Sequence, residues 1–307
     1  MKFVKYAAIA LLAACTAPGA ASAGFSTMIV FGDSLSDTGN VFTATTSPPA
    51  PYYQGHYSNG PIWVEQYAAL LGLAAPTPSL VGGTDYAWGG AETSLTGNSF
   101  QGTPNVGTQI AGFLAGHTLN GSELITVWGG ANDFLFGGQT NPQVSVTNLL
   151  TELSTLATAG GKTFVVPNIP RLGDIPGTAG LPQAQRDGLN QLSLGFNALL
   201  SGGLTQLQTT LGVKIAQIDV ATIVLNAKAS PGAYGLTNAN NSALGGGVLN
   251  GNGYLFWDDF HPTTVAHGFI SKVAFAAVPE PSSVALMVSA GVCLAVPGVR
   301  ALRRRTA

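Results

Sequence analysis

The chain is short of charge and nearly free of cysteine. Its 307 residues carry 12 Lys and Arg against 14 Asp and Glu, together only 8% of the sequence. The two cysteines, Cys15 and Cys293, stand close to the two ends. The intervening chain therefore has neither a disulfide nor a thiolate, which excludes a disulfide scaffold, a cysteine nucleophile and a thiolate metal site. The cations are also badly distributed. Lys2, Lys5, Arg300, Arg303, Arg304 and Arg305 lie at the ends, with Glu280, leaving six basic and thirteen acidic residues between. A segment with a net charge of −7 is a poor partner for nucleic acid or an anionic membrane surface. Absent too are His-Glu-x-x-His, a Walker loop and Gly-x-Ser-x-Gly, so no metal, nucleotide or other cofactor is expected.

The ends read as processing segments. Lys2 and Lys5, an apolar stretch at 7–14 and Ala21-Ser22-Ala23 form a secretory signal peptide over residues 1–23, with the mature chain starting at Gly24. The run ending at Cys15 also resembles a bacterial lipoprotein box. At the other end, 284–299 is apolar and uncharged, and four arginines follow. As a helix that run spans about 24 Å, slightly less than a bilayer core. The arginines favour a cytoplasmic end and place the rest of the chain outside. With Pro279-Glu280-Pro281 before it, the tail at 279–307 resembles a PEP-CTERM sorting signal. That resemblance implies an exosortase-type processing enzyme as partner, the envelope or exterior of a Gram-negative bacterium as location, and contact with the membrane only through this transmembrane segment.

Residues 24–278 remain, enough for one domain with an unaided core. Apolar runs at 28–31, 124–128, 163–167 and 213–218 read as buried strands. Helical patterns occupy 61–71, 144–159, 183–200 and 263–277, while 43–60, 75–110 and 226–256 read as Gly/Pro/Asn-rich loops. Strands alternating with helices imply a parallel sheet covered on both faces, with its site at the carboxyl ends of the strands.

Chemistry-bearing residues follow these strands. Gly32-Asp33-Ser34 comes after the first, and Gly-Gly-Ala-Asn132-Asp133 after the second. Asp258, Asp259 and His261 precede the last helix. A serine, a histidine with an acid three residues before it, and an asparagine are the parts of an acyl-transfer site. Asp258 and His261, at i and i+3, share one side of a helical turn, whereas Asp259 points elsewhere. Pro262 restricts His261 to extended backbone. Ser36 reads as a helix cap, Asp33 and Asp37 as turn-shaping residues and Asp133 as structural. His56, His117 and His267 have no partner motif; Trp88 and Trp257, next to the motifs, are the candidates to line a pocket.

"FGDSLSDTGN", "DYAWGGAET", "GGANDF" and "DDFHPT", in this order, resemble the four blocks of the SGNH or GDSL hydrolases, in their secreted esterase/lipase branch. The segments "YSNGPIWVEQYAALLGL" and "PNIPRLGDIP" are similar to further family stretches. The resemblance runs from Met28 to about Phe275. It implies a flavodoxin-like three-layer α/β/α sandwich with a central, mainly parallel sheet. It implies Ser34 as nucleophile, His261 as general base and then acid, and Asp258 as its orienting carboxylate. The oxyanion hole it implies is built from the backbone N–H of Ser34, the backbone N–H of Gly90 and the side chain of Asn132, with Gly89 replacing Gly90 if the match slips by one residue. The expected activity is hydrolysis of carboxylic, lipid-type esters by an exported serine esterase. A carbohydrate O-acetylesterase and a non-catalytic binding protein of the envelope are the alternatives.

Overall fold

A computed structural model of the chain describes residues 24–278. The signal peptide, the lipoprotein-like box and the sorting tail with its membrane segment lie outside the described residues. Among the described residues no helix is long and apolar enough to cross a membrane.

The sheet is built from β1 (Met28–Gly32), β2 (Leu124–Trp128), β3 (Thr163–Pro167) and β4 (Lys214–Ile218), all parallel and in the spatial order β1-β2-β3-β4. β1, β2 and β3 are the apolar runs seen in the sequence, because a strand covered on both faces needs apolar side chains on both. β4, read as a fourth buried strand, is instead an edge strand with Lys214 exposed and only Ile218 buried. Alternation sorts them. Ile29, Phe31, Ile125, Val127, Phe164 and Val166 enter one core, and Met28, Val30, Leu124, Trp128 and Val165 the other.

The first core is closed by α3 (Val106–Gly116), α5 (Pro142–Thr158) and α6 (Gln183–Leu211). The second is closed by α2 (Trp63–Leu71) and α8 (Thr264–Ala277), with Val220 at the start of α7 (Val220–Ala229). The result is the expected three-layer α/β/α arrangement. Shorter helices, α1 (Asn40–Thr45) and α4 (Ala131–Leu135), and a small parallel pair, β5 (Asn238–Ser242) with β6 (Tyr254–Phe256), complete the element order.

Residues 84–88 act as a fifth, irregular strand at the free edge of β1. Val30 N–H donates to the Thr84 carbonyl (3.0 Å), Tyr86 N–H to Val30 (2.8 Å) and Trp88 N–H to Gly32 (3.1 Å). Counted with this segment, the order in the chain is 2-1-3-4-5, the flavodoxin-like winding, whose ligand crevice opens beyond the carboxyl ends of the strands at the switch point.

Three sequence expectations are corrected here. The stretch 75–110 is not all loop, since α3 starts at Val106 and buries Val106, Ile110 and Phe113. The stretch 226–256 holds the end of α7 and the β5–β6 pair. Helix α6 runs eleven residues past Leu200, through Gly202 and Gly203. Gly203 serves close packing: a Cβ there would come within 2.3 Å of Leu150 Cδ1 on α5. Local chemistry explains why α5 and α8 start at Pro142 and Thr264, against the patterns read from 144 and 263. Asn141 accepts the Gln143 N–H before Pro142 at the first turn of α5, and Thr263 accepts the Ala266 N–H at the start of α8.

Candidate active site

The turn after β1 needs a glycine. Gly32 has φ of 151°, and a Cβ on it would lie 2.2 Å from the carbonyl oxygen of Trp128 in the neighbouring strand. Gln109 of α3 then holds both polar groups of Gly32, accepting its N–H at 3.0 Å and donating to its carbonyl at 2.8 Å. Beyond it, Ser36 and Asp37 donate their N–H groups to the Asp33 carbonyl (3.0 and 3.1 Å), and Asp33 Oδ1 accepts the Leu35 N–H (3.0 Å). This Asx turn lifts Ser34 above the sheet edge.

Two buried carboxylates, Asp37 and Asp85, fix the chain beyond that turn. Asp37 accepts N–H groups from Gly39, Asn40 and Val41, as the turn-shaping reading expects, and also from Gly89 at 2.9 Å. Asp85 accepts the Thr38 N–H (2.5 Å) and hydroxyl (2.6 Å) and the Ala87 N–H (2.8 Å). Asn40 donates to the Asp85 and Ala87 carbonyls. Burial pushes the Asp85 carboxyl well above its ordinary value, and the charge of Asp37 adds to the rise. The turn after β1 and the segment 84–91 are thus one hydrogen-bonded block. Ser36 is not a helix cap: it is fully buried and its Oγ accepts the Trp63 indole N–H at 3.1 Å.

Within that block, Ala91 N–H donates to the Trp88 carbonyl (3.1 Å) across Gly89 and Gly90, and Gly90 has φ of 80°. This is a type II turn, which requires glycine at its third position. It also separates the two glycines. The Gly89 N–H is held by Asp37, whereas among the described residues the N–H groups of Gly90 and Ser34 have no partner. Asn132, in the first turn of α4 after β2, donates one amide hydrogen to the Ala91 carbonyl at 2.9 Å, leaving the other. Its neighbour Asp133 is structural, accepting from the Thr93 N–H (3.1 Å), the Thr93 hydroxyl (2.5 Å) and the Ser145 hydroxyl (2.7 Å).

The last piece comes from the turn at 257–262. It is not the helical turn read from the i, i+3 spacing. Trp257 N–H donates to the His261 carbonyl (2.8 Å), and Phe256 and Pro262 form an antiparallel bridge. Asp258 Oδ1 accepts the N–H groups of Phe260 (2.8 Å) and His261 (2.7 Å), a second Asx turn. The carboxylate meets the imidazole all the same: His261 Nδ1 lies 2.7 Å from Asp258 Oδ2, and Nε2 lies 2.8 Å from Ser34 Oγ. Asp259 is exposed.

Two tyrosines that the sequence reading passed over complete this corner. Tyr52 donates its hydroxyl to Asp258 Oδ2 at 2.8 Å, and the Tyr57 ring lies against His261 with centroids 5.0 Å apart. Burial works against the Asp258 charge. The charge of His261, its hydrogen bond and the two backbone N–H groups outweigh that, and hold the carboxyl below its ordinary value. An ionised Asp258 can only accept, so Nδ1 carries the hydrogen and Nε2 is left to accept from the Ser34 hydroxyl.

These groups face a cleft of about 300 Å³ that includes Ser34, Gly90, Asn132 and His261. Its other walls are mostly apolar, among them Leu35, Leu135, Phe136, Ile175 and Phe260. Trp88 and Trp257 do not line it: Trp88 runs along the edge of β1, and Trp257 is fully buried edge-on to Tyr52. His56, His117 and His267 stand apart. His56 Nε2 sits 3.1 Å from Glu65, His117 stacks on Phe113, and burial pushes His267 down to about 3.

The sequence profile of the GDSL-like Lipase/Acylhydrolase family matches residues 28–273. The chain is 27% identical to a phosphatidylcholine-sterol acyltransferase of Aeromonas hydrophila, over 81% of this chain and 89% of that protein. It is 25% identical to a thermolabile hemolysin of Vibrio parahaemolyticus, over 80% of this chain and 62% of that protein. Among solved structures, a member of the lipolytic G-D-S-L family from Veillonella parvula is similar with a TM-score of 0.46 and 17% identity, covering 81% of this chain and 96% of that one.

Proposed function

The chain belongs to the GDSL-like lipase/acylhydrolase family and is an ester-bond hydrolase, and from that premise we propose that it is an exported serine esterase that cleaves lipid-type carboxylic esters through Ser34, His261 and Asp258. The observation that carries the assignment is the continuous line Ser34 Oγ to His261 Nε2 (2.8 Å) and His261 Nδ1 to Asp258 Oδ2 (2.7 Å).

Each step rests on those contacts. His261 Nε2 takes the hydroxyl proton as Ser34 Oγ attacks the ester carbonyl carbon. Asp258 keeps the imidazole in the tautomer that can accept, then stabilises the imidazolium. The carbonyl oxygen becomes an oxyanion beside the free N–H groups of Ser34 and Gly90 and the spare amide hydrogen of Asn132. Each such donor is worth about 10²–10³ in rate. The engaged Gly89 N–H favours Gly90 over Gly89 in this role. His261 returns the proton to the leaving alkoxide, and the acyl-serine is released by water or by an acceptor alcohol.

The mostly apolar cleft supports a hydrocarbon-bearing substrate. The relative named as a phosphatidylcholine-sterol acyltransferase supports a lipid-type ester and an alcohol as alternative acceptor. Export, and attachment through the tail, rest on the sequence of 1–23 and 279–307. The test is p-nitrophenyl butyrate hydrolysis by the full-length chain, with fluorophosphonate labelling alongside. Ser34→Ala is expected to lower kcat by about 10⁴-fold or more and to abolish the label. A Ser34→Ala chain that turns over at the parent rate overturns the assignment.

A further inference from the structure

A second cavity lies against the cleft, and nothing in the catalytic arrangement uses it. It is small, about 40 Å³, and all fourteen residues that line it are apolar. Four of them, Leu35, Pro170, Ile175 and Phe260, also line the cleft that holds Ser34. The two spaces therefore share one wall, made partly by the residue after the proposed nucleophile and partly by the residue before His261.

The far walls come from other elements. Val224 stands on α7, Ala266 and Phe269 on α8, and Trp128 at the end of β2. Phe260 is the most solvent-exposed part of the dividing wall. Its ring is 37% exposed and meets Phe136 edge-on at 5.3 Å. It rests over Gly177, where a Cβ would come within 2.6 Å of the ring. A space this predominantly apolar takes an apolar occupant.

We propose that this cavity is an acyl-chain pocket, which receives the far end of a medium-length fatty acyl group whose carbonyl sits at Ser34. The proposal rests on the esterase reading and adds the chain length of its substrate. Adjacency to the cleft names the occupant, because a hydrocarbon chain attached to a carbonyl at Ser34 has this wall beside it. About 10–15 Å³ by this measure holds one small group, so the cavity takes roughly three methylenes. Each buried methylene is worth about fourfold in binding, so the pocket favours a chain that fills it over acetate by roughly fiftyfold.

The test compares kcat/KM for p-nitrophenyl acetate, butyrate, octanoate and dodecanoate on the full-length chain. Val224→Phe fills the cavity from the α7 side, and the octanoate-to-acetate ratio is expected to fall by more than tenfold. Phe260→Ala joins the two spaces and is expected to move the optimum to a longer chain. Ala266→Leu fills from the α8 side and serves if Val224→Phe does not fold. An unchanged ratio in a folded filling variant overturns the proposal.

A binding measurement keeps it independent of turnover. ω-Bromooctanoate is expected to quench indole fluorescence in the parent and in Ser34→Ala. The quenching is expected to be lost largely in Trp128→Phe and in Val224→Phe. Quenching that survives in Val224→Phe counts against the pocket. Turnover that survives in Ser34→Ala counts only against the nucleophile.

Discussion

The turn after β1 and the turn after β6 each set an aspartate within electrostatic reach of His261, and the two carboxyls respond in opposite ways. Asp258 is held below the ordinary aspartate value, although burial alone would raise it, because the charge of His261, its hydrogen bond and two backbone N–H groups outweigh burial; the Tyr52 hydroxyl also donates to it. Asp33 is more deeply buried, and burial pushes it up to about 7 against the Leu35 N–H and the more distant charge of His261. Residue type is the same, but depth of burial and distance from His261 differ. Direct contact with the imidazole separates them: Asp37 and Asp85 are raised by burial although each accepts several donors, whereas the charge of His261 heads the causes that hold Asp258 down, and a carboxylate must stay charged to orient an imidazolium. A buried aspartate next to the nucleophile is therefore a turn former here, and the one in contact with the imidazole is the proposed orienting group.

Asp258→Asn breaks the contrast most severely. An amide in place of the carboxylate can present N–H to Nδ1, which leaves the imidazole in the tautomer that cannot accept from Ser34. A loss of about 10⁴ in kcat is expected, with the Tm little changed, measured on p-nitrophenyl butyrate. Next comes Asp33→Asn, read on stability. Folded Asp33 holds its proton up to about pH 7, the unfolded residue only to 3.8. Between those values the folded state binds more protons, so Asp33 contributes its stability below 3.8 and loses it as pH rises through about 7. The size is about 4 kcal/mol. Asparagine keeps the acceptor for Leu35 and cannot ionise. The Tm of Asp33→Asn relative to the parent is therefore expected to climb by about 10 °C between pH 4 and pH 8. His267, held down to about 3 by burial, has the opposite slope between about 3 and 6.5, losing stability as pH falls. It is present in both chains and cancels. A flat difference would mean that Asp33 is not protonated in the fold.

The same contrast shows what the sequence carries. The strands and the positions of Ser34, Asn132 and His261 were legible because each depends on a few adjacent residues. Contacts between distant segments left weaker traces. Gln109 holds Gly32 from 77 residues away, and nothing in its surroundings marks it. Residues 84–88 pair with β1 through backbone alone, without the β-branched run that announces a strand. Helix α3 carries Gly107, Gly112 and Gly116, so its short apolar face blends into the loop before it. The reading of Ser36 as a cap failed because its partner, the Trp63 indole, belongs to α2. Trp88 and Trp257 adjoin the motifs in sequence, but their side chains do not reach the cleft. The i, i+3 spacing of Asp258 and His261 paired two residues that do touch, for a different local reason, an Asx turn.

Tyr52 gives the smallest and most discriminating effect. It lies in a stretch the sequence offers only as loop, yet its hydroxyl is one of the donors that distinguish Asp258 from Asp33. A hydrogen bond to a charged group contributes about 1.5–3 kcal/mol, which would be tenfold or more if all of it were realised in the transition state. Most of it is not, because the bond already exists in the resting site, and only the part that strengthens as His261 becomes charged lowers the barrier. Tyr52→Phe is therefore expected to lower kcat by less than about tenfold, with KM and the short-chain to long-chain ratio unchanged. The ring still packs edge-on to Trp257, so the fold is retained. A fall in KM-dependent terms alone would place Tyr52 with the substrate; a fall in kcat alone places it with Asp258. Combined with Asp258→Asn, Tyr52→Phe is expected to add nothing, because once the carboxylate is gone the donor has no charge to hold.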